Sequence, residues 1–492
     1  MTGDVDLFEV FSATVARQPN RTACLEFGKA TPCTYLMLLG KIEEAAASLR
    51  EAGMQPGACV GLHCPSGLSY IVWAYAIWRC GGTIVPIATE LAKDEKLEIC
   101  TTIRLNGVIT LTRDLPIFDG LLRACDAQFS GEVAYIPIDG EAPRPAGFSA
   151  LRPAFIRFTS GTTASSKGVV LSHSTVFQRI LAANDVLNIG PDDRVLWLLS
   201  MSYHFTVSIV AYLSFGATII LCKDHFGSTM VEAASEGGAT FIYGSPQHYR
   251  AMASDASGRL FGQARLAIST ATALRNDVAQ AFFRRFGLPL SQAYGIIEIG
   301  LPCINLAGEE AKPGSVGRPL PAFDIRLTEI LPGGPKAISV RGSGMLDAYY
   351  IPWRPQAEIM PDGWFYTGDL GEFDADGFLS IVGRAKEMIS VAGMKLFPQE
   401  VEAVLETHSR VQEAYVYAEP HDRLGEIPCA LVLAVPGQAH AEEAELRSYC
   451  AKHLTSYKVP EKIRYVAELP KTASGKLKRN SALPVGATGP AA

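Results

Sequence analysis

The chain has 492 residues, 48% hydrophobic and 19% charged, with 44 basic against 50 acidic residues and a formal net charge of -6. A length beyond the roughly 250–300 residues at which single cores stop growing means at least two domains, and so apolar a composition excludes disorder except at the ends. There is no long basic run, the start MTGDVDLFEV is acidic, and the apolar stretches Ile71–Trp78 and Ser208–Cys222 fall short of about 20 residues, which argues against nucleic acid as main partner, a signal peptide and a membrane span.

Short apolar runs alternate with amphipathic stretches as far as residue 380 or so. Phe8–Ala16 has helical spacing and Thr22–Phe27 reads as a strand. Tyr35–Ala52 is expected to be a helix burying Leu36, Leu39, Ile42, Ala46 and Leu49. Strand Cys59–His63, helix Leu68–Arg79 and strand Thr83–Ile87 follow, the last entered through Gly81 and Gly82. Eleven cysteines without a CxxC pair, Cys59 and Cys64 beside His63 included, read as buried thiols of a cytoplasmic protein. The alternation resumes with Ala154–Phe158, His173–Leu187, Arg194–Leu199, Ala217–Leu221, Met230–Glu236 and Ala239–Tyr243. Strands alternating with helices imply parallel sheets covered on both faces, an α/β architecture. Gly140–Pro153, rich in Pro, Gly and Ala, reads as a surface connection. From Phe373 the texture becomes that of a compact α+β unit, with helices Pro398–Glu406 and Glu442–His453 and strands Glu413–Glu419, Ile427–Val435 and Ile463–Val466. The tail Ala482–Ala492 is expected to fray.

Between one apolar strand and the next stands Phe158-Thr159-Ser160-Gly161-Thr162-Thr163-Ala164-Ser165-Ser166-Lys167-Gly168. Six hydroxyl residues, two glycines and a lysine make a loop whose N–H groups can converge on phosphate oxygens. Lys precedes Gly, so this is not a Walker loop. The order resembles the signature loop of the adenylate-forming superfamily, with Ala164 and Ser166 where that family has Gly and Pro.

Four further stretches resemble the same family in the same order. Ser291-Gln292-Ala293-Tyr294-Gly295-Ile296-Ile297-Glu298 matches its Tyr-Gly-x-Thr-Glu motif, with Ile297 replacing Thr. Tyr offers a flat face to adenine and Glu298 hard oxygens to Mg²⁺. Tyr366-Thr367-Gly368-Asp369 matches a segment whose Asp accepts both ribose hydroxyls. Gly383-Arg384-Ala385-Lys386 through Gly393 to Pro398-Gln399-Glu400-Val401-Glu402 matches the family hinge. Pro470-Lys471-Thr472-Ala473-Ser474-Gly475-Lys476 matches the terminal motif.

The resemblance implies a large domain, 1–384, of stacked mixed sheets with helices, a hinge at 385–386, and a small mobile α+β lid, 387–492. It implies ATP held by Thr159, Ser160, Gly161, Thr162, Thr163, Lys167, Ala293, Tyr294, Gly295, Asp369 and Arg384. Lys476 and Glu298 would be catalytic, the second also holding Mg²⁺; Lys386 would be the pivot and Gly393 would line the thiol path. Ser202-Tyr203-His204-Phe205 falls where the family carries an aromatic-plus-His element, so His204 joins the catalytic set. The acid pocket is expected to include Tyr203, Phe205, Val207, Tyr243, Thr270, Ala271, Ile296 and Cys303, Thr270 and Ala271 standing where the family has glycines.

Peptide-synthetase relatives for α-amino acids place an Asp after the aromatic residue; here stand His204, Phe205, Thr206 and Val207. A buried ammonium without a partner costs several kcal/mol, so the expected substrate is a hydrophobic monocarboxylate, aromatic or short-to-medium aliphatic. The expected reaction is AMP-forming ligation of that acid to coenzyme A. An acyl carrier protein is the alternative acceptor, and a non-catalytic nucleotide-binding relative is the alternative of another class.

Overall fold

A computed structural model describes residues 5–29, 31–121, 128–138, 143–159, 167–330 and 334–470. They form two compact units. The first comprises residues up to 324 together with 340–365, and the second 325–339 together with 366–470. The second unit therefore reaches back nineteen residues before the expected hinge, because Leu370 packs with Phe397 and Ala337, and Val382, Ala385 and Met388 lean on the same cluster.

In the first unit, one sheet runs in the order Ser315–Pro319, Gly300–Ile304, Leu290–Ile296, Leu266–Ser269, Phe241–Gly244, Arg194–Trp197, Thr218–Leu221, Thr22–Glu26, Cys33–Thr34. The strands from Leu290–Ile296 to Thr22–Glu26 are parallel neighbours; those at either side are antiparallel. A second sheet has nine strands, parallel only from Pro153–Thr159 through Thr83–Pro86 and Cys59–His63 to Gly107–Leu111. The sheets are thus mixed. The sequence pattern of alternating strands and helices reads their parallel centres and misses their antiparallel margins, some of whose partners lie far apart in sequence, as Val169 and Tyr349 do.

Side chains cap the starts of three helices that frame this unit. Asp6 accepts the N–H groups of Phe8 and Glu9, Thr34 that of Met37, and Ser172 that of Thr175. Helix Tyr35–Glu51 buries Tyr35, Leu38, Ile42, Ala45, Ala46 and Leu49, while Leu36 is 53% exposed. The expected stripe holds at Ile42, Ala46 and Leu49 and shifts in the first turns, where Tyr35 and Leu38 are buried in place of Leu36 and Leu39.

The second unit pairs strand Phe365–Phe373 with Leu379–Arg384 and builds a sheet of Met394–Leu396, Ile389–Val391, Gly425–Ala434, Val411–His421 and the parallel Lys462–Tyr465. Helices Pro398–Glu406 and Glu443–His453 cover its core, which includes Val401, Leu405, Val416, Val432 and Leu446. Glu402 is buried there and accepts the N–H of Val416 at 2.8 Å, so this motif glutamate ties helix to sheet. The expected fraying tail lies outside the described residues.

Three histidines are held neutral by burial. His63, 2.9 Å from Thr110 Oγ1, His173, which accepts the N–H of Leu7, and His248 are each pulled down from 6.5 to about 4. Between those values the unfolded chain binds protons that the folded chain refuses. Their contribution is complete above pH 6.5 and is lost as pH falls toward 4. The urea midpoint should fall between pH 7.5 and 4.5, and less steeply for His173→Gln; a flat profile in the parent protein would contradict this account.

Candidate active site

Strands Pro153–Thr159 and Lys167–Ser172 are antiparallel, with Thr159 opposite Lys167 and Arg157 opposite Val169. Ser160, Gly161, Thr162 and Thr163 lie outside the described residues. On the other side, Tyr349 is opposite Val169. Directly opposed residues point to one face, so Arg157, Lys167 and Tyr349 share a face. Lys167 Nζ lies 4.6 Å from the centre of the Tyr349 ring, and Tyr349 donates to Glu298 Oε1 at 3.3 Å. Burial and the neighbouring Glu298 carboxylate push the Tyr349 phenol up, so it stays a hydrogen-bond donor.

Glu298 stands in the turn between Leu290–Ile296 and Gly300–Ile304. A Cβ on Gly295 would come within 2.2 Å of the Gly300 oxygen, so the turn admits only glycine there. The Glu298 carbonyl accepts the N–H of Leu346 at 2.7 Å and Arg179 Nη2 at 3.0 Å. Arg179 also donates through Nε to the Gly344 carbonyl; burial pulls its pKa down to about 10 against the fields of Asp347 and Glu298. Backbone and carboxylate of Glu298 are thus positioned separately, the first by Arg179 and the second by Tyr349. Ala293 and Tyr294 are buried on the strand leading in, opposite Ile304 and Cys303.

Tyr203 and His204 end the short helix Met201–His204. Arg157 Nη1 donates to the Tyr203 carbonyl at 2.7 Å, with the guanidinium 5.1 Å from the Tyr203 ring. Arg157 Nε has no hydrogen-bond partner among the described residues. Burial lowers its pKa, opposed by Tyr203, Glu298 and Tyr70. His204 meets Trp197 edge-on at 6.3 Å, and Trp197 stacks on Tyr243 at 5.4 Å and 10°. Burial pushes the Tyr243 phenol up to about 12, despite its hydrogen bond with Thr270. Val207 and Ile296 are half-buried. Phe205 and Cys303 are fully buried, Phe205 against Tyr70, Tyr75 and Trp78.

The second unit brings Asp369 and Arg384 together. They are cross-strand partners, with Arg384 Nε 2.8 Å from Asp369 Oδ1; Asp369 is buried and Arg384 half-exposed. A buried carboxylate with an accessible guanidinium beside it offers both acceptor and donor to a ribose. Lys386 is exposed in the turn Ala385–Glu387. Gly393 (φ 85°) and Ala392 (φ 49°) form the exposed two-residue tip between Ile389–Val391 and Met394–Leu396. Lys476 lies outside the described residues.

Sequence reasoning missed Arg157, Arg179, Trp197 and Tyr349. Arg157 alone gave a signal, being a charge inside the apolar run Ala154–Phe158.

Ala271 keeps φ at 76°, the left-handed region, where the sequence places Ala instead of the glycine of the resembled motif. Cβ in that region costs about 1–2 kcal/mol. Ala271→Gly should raise stability by a net of about 0.5–1 kcal/mol after the entropy of the unfolded glycine is counted. Ala271→Val should lower it. Thermal melts of the two variants check this, and a stabilised valine variant would refute it.

The family model for AMP-binding enzyme matches residues 11–350, and that for the AMP-binding enzyme C-terminal domain matches 400–476. The chain is 27% identical over 504 residues to indoleacetate–CoA ligase of Aromatoleum aromaticum, covering 97% of each chain. It is 28% identical over 477 residues to feruloyl-CoA synthase of an Amycolatopsis species, covering 93% of this chain and 94% of that one. Among solved structures, o-succinylbenzoate CoA synthetase of Bacillus subtilis with its acyl-adenylate superposes with a TM-score of 0.83 at 23% identity, over 96% of this chain and 97% of that one. With more than half its length matched, the chain belongs to the AMP-binding enzyme family.

Proposed function

We propose that the chain is an ATP-dependent carboxylic acid–CoA ligase that activates a hydrophobic monocarboxylate as its acyl-adenylate and passes the acyl group to the thiol of coenzyme A. The observation that carries this reading is the cluster Lys167–Tyr349–Glu298, in a chain whose relatives, aligned nearly end to end, are CoA ligases by name.

In the first step a carboxylate oxygen attacks the α-phosphorus and the bond to pyrophosphate breaks. Lys167 and the loop before it neutralise the phosphates, and Tyr294 stacks on the adenine. The Glu298 carboxylate fits Mg²⁺, which is commonly held by one carboxylate and the substrate's own phosphates; bound there, it would neutralise phosphate charge. Among the described residues no cluster of three or more His, Cys, Asp or Glu side chains forms a protein-only metal cage. Asp369 and Arg384 bind the ribose. Lys476 bridges carboxylate and α-phosphate as charge redistributes between them. In the second step the sulfur attacks the acyl carbon, the bond to AMP breaks, and His204 takes the thiol proton. We assign the pivot to Lys386 and the thiol path to Gly393, since Lys476 and the hairpin serve different steps. Among the described residues no helix is long and apolar enough to cross a membrane. The ten described cysteines are free, nine of them buried, which supports a cytoplasmic setting.

Lys476→Ala should lower adenylation at least a hundredfold and leave transfer from preformed acyl-adenylate within a few-fold of the parent; equal losses in both steps would remove the assigned role. Pyrophosphate exchange with a panel of hydrophobic acids tests the reading itself. No exchange with any acid refutes it. The mass of the product formed with CoA or with a loaded carrier protein then decides the acceptor.

A further inference from the structure

The described residues form an open cavity of about 330 Å³ at the ends of strands Arg194–Trp197 and Thr218–Leu221, lined by the apolar Trp197, Leu199 and Leu221 and by the polar Lys223, Asp224 and His225. That volume suits a small organic group. None of these residues carries a role in the site as described so far, apart from the ring contacts of Trp197.

The proton positions at His225 follow from its neighbours. The backbone N–H of Ser245 donates to His248 Nδ1 at 3.0 Å. A ring nitrogen that accepts from a backbone N–H carries no proton, so neutral His248 is protonated on Nε2. His248 Nε2 lies 3.3 Å from His225 Nδ1, the rings meeting edge to face at 4.7 Å. His225 Nδ1 is therefore the acceptor, and its Nε2–H is left as a donor. Burial lowers both histidines from their usual range, which keeps this neutral chain in place at pH 7. The Asp224 carboxylate accepts the Phe226 N–H at 3.2 Å and the Thr229 hydroxyl. The lining thus includes the His225 donor and the Lys223 ammonium.

Register connects this cavity to the nucleotide end of the sheet. Leu221, Trp197, Tyr243, Ile268 and Ser291 are successive lateral partners across five parallel strands. Ser291 is on the strand that carries Tyr294. From that strand to the one bearing Trp197 is roughly 14 Å at the usual strand spacing. An acid joined to a nucleotide above Tyr294 and lying along the carboxyl ends of these strands reaches the cavity with its far end.

We propose that the cavity receives the distal end of the acid and that His225 Nε2–H reads a hydrogen-bond acceptor there. The substrate class is an apolar monocarboxylate, aryl or aliphatic, with an ether or carbonyl oxygen at the end remote from its carboxyl group. This rests on the acid-activating reading above and narrows it. Imidazole N–H cannot pair with a purely apolar tail, so a tail without an acceptor leaves a desolvated donor unpaired.

The test compares 3-(4-methoxyphenyl)propanoate with 3-(4-ethylphenyl)propanoate, which match in size. In pyrophosphate exchange the methoxy acid should have about tenfold the kcat/KM of the ethyl acid. His225→Phe should bring that ratio to near one, and His225→Gln, which keeps a donor, should retain part of it. A ratio unchanged by His225→Phe, or a preference for the ethyl acid, overturns the proposal. Quenching of Trp197 fluorescence by each acid without ATP, with Trp197→Phe as the blank, reads the cavity independently of turnover. Quenching that favours the methoxy acid about tenfold and needs His225 supports the cavity assignment even where exchange fails, and exchange failure then counts against the ligase reading alone. No quenching by either acid, or quenching by coenzyme A instead, overturns the cavity assignment even where exchange succeeds.

Discussion

The register of three short strands governs what this site can hold. Arg157, Val169 and Tyr349 are lateral neighbours on Pro153–Thr159, Lys167–Ser172 and Ala348–Tyr349. A slip of one residue in the middle strand would turn Lys167 to the opposite face, away from the Tyr349 ring. The register is secured from both sides, by Phe155, Ile156 and Val170 in the core and by Gly168, where a Cβ would sit 3.1 Å from Tyr350 Cβ. Asp347 reinforces the third strand by accepting the Ser172 N–H and hydroxyl and the Thr175 hydroxyl, which also ties it to the start of helix His173–Leu187.

This arrangement explains why two arginines are buried close to Glu298. Arg179 spends its donors on carbonyl groups of Gly344 and Glu298, so it acts on the backbone and leaves the carboxylate to Tyr349. Were Arg179 paired directly with the carboxylate, Glu298 would be neutralised and less able to meet a cation. Arg157 likewise bonds a carbonyl, that of Tyr203, and rests on the Tyr203 ring. Both arginines spend donors on carbonyl groups, while the Glu298 carboxylate accepts from the Tyr349 phenol. Such a site has positive field to offer to phosphates without surrendering its own acid.

Much of this was legible in the sequence because it is local. Strands such as Cys59–His63 and helices such as Leu68–Arg79 and His173–Leu187 follow from apolar periodicity within a window of residues. The Ala392–Gly393 tip follows from the turn chemistry of one glycine, and Asp369 and Arg384 follow from motifs that lie fifteen residues apart and pair across one hairpin. Tyr349, Arg179 and the His225–His248 pair were not legible. Their meaning arises from contacts with Glu298, Gly344 or Ser245 that depend on topology, and neither residue type nor spacing announces them. The misplacement of Leu36 has the same root: in the first turn tertiary packing buries Tyr35 and Leu38 instead.

The substitution of Ala271 for the glycine of the resembled motif shows how far a fold can resist its own sequence. The sequence places a Cβ there. The backbone nonetheless holds the left-handed conformation that glycine would take. Its neighbour explains the persistence: the Thr270 N–H donates to the Gly244 carbonyl at 3.1 Å and the Thr270 hydroxyl bonds Tyr243, which is itself clamped flat against Trp197. Releasing the strain at Ala271 would mean giving up those contacts. A local cost of about 1–2 kcal/mol is of the same size as a buried hydrogen bond together with an aromatic stack, about 1–3 kcal/mol, so those contacts can offset it. The ends of the four parallel strands from the one bearing Tyr294 to the one bearing Trp197 stay in line, with Ser291, Ile268, Tyr243 and Trp197 as successive lateral partners.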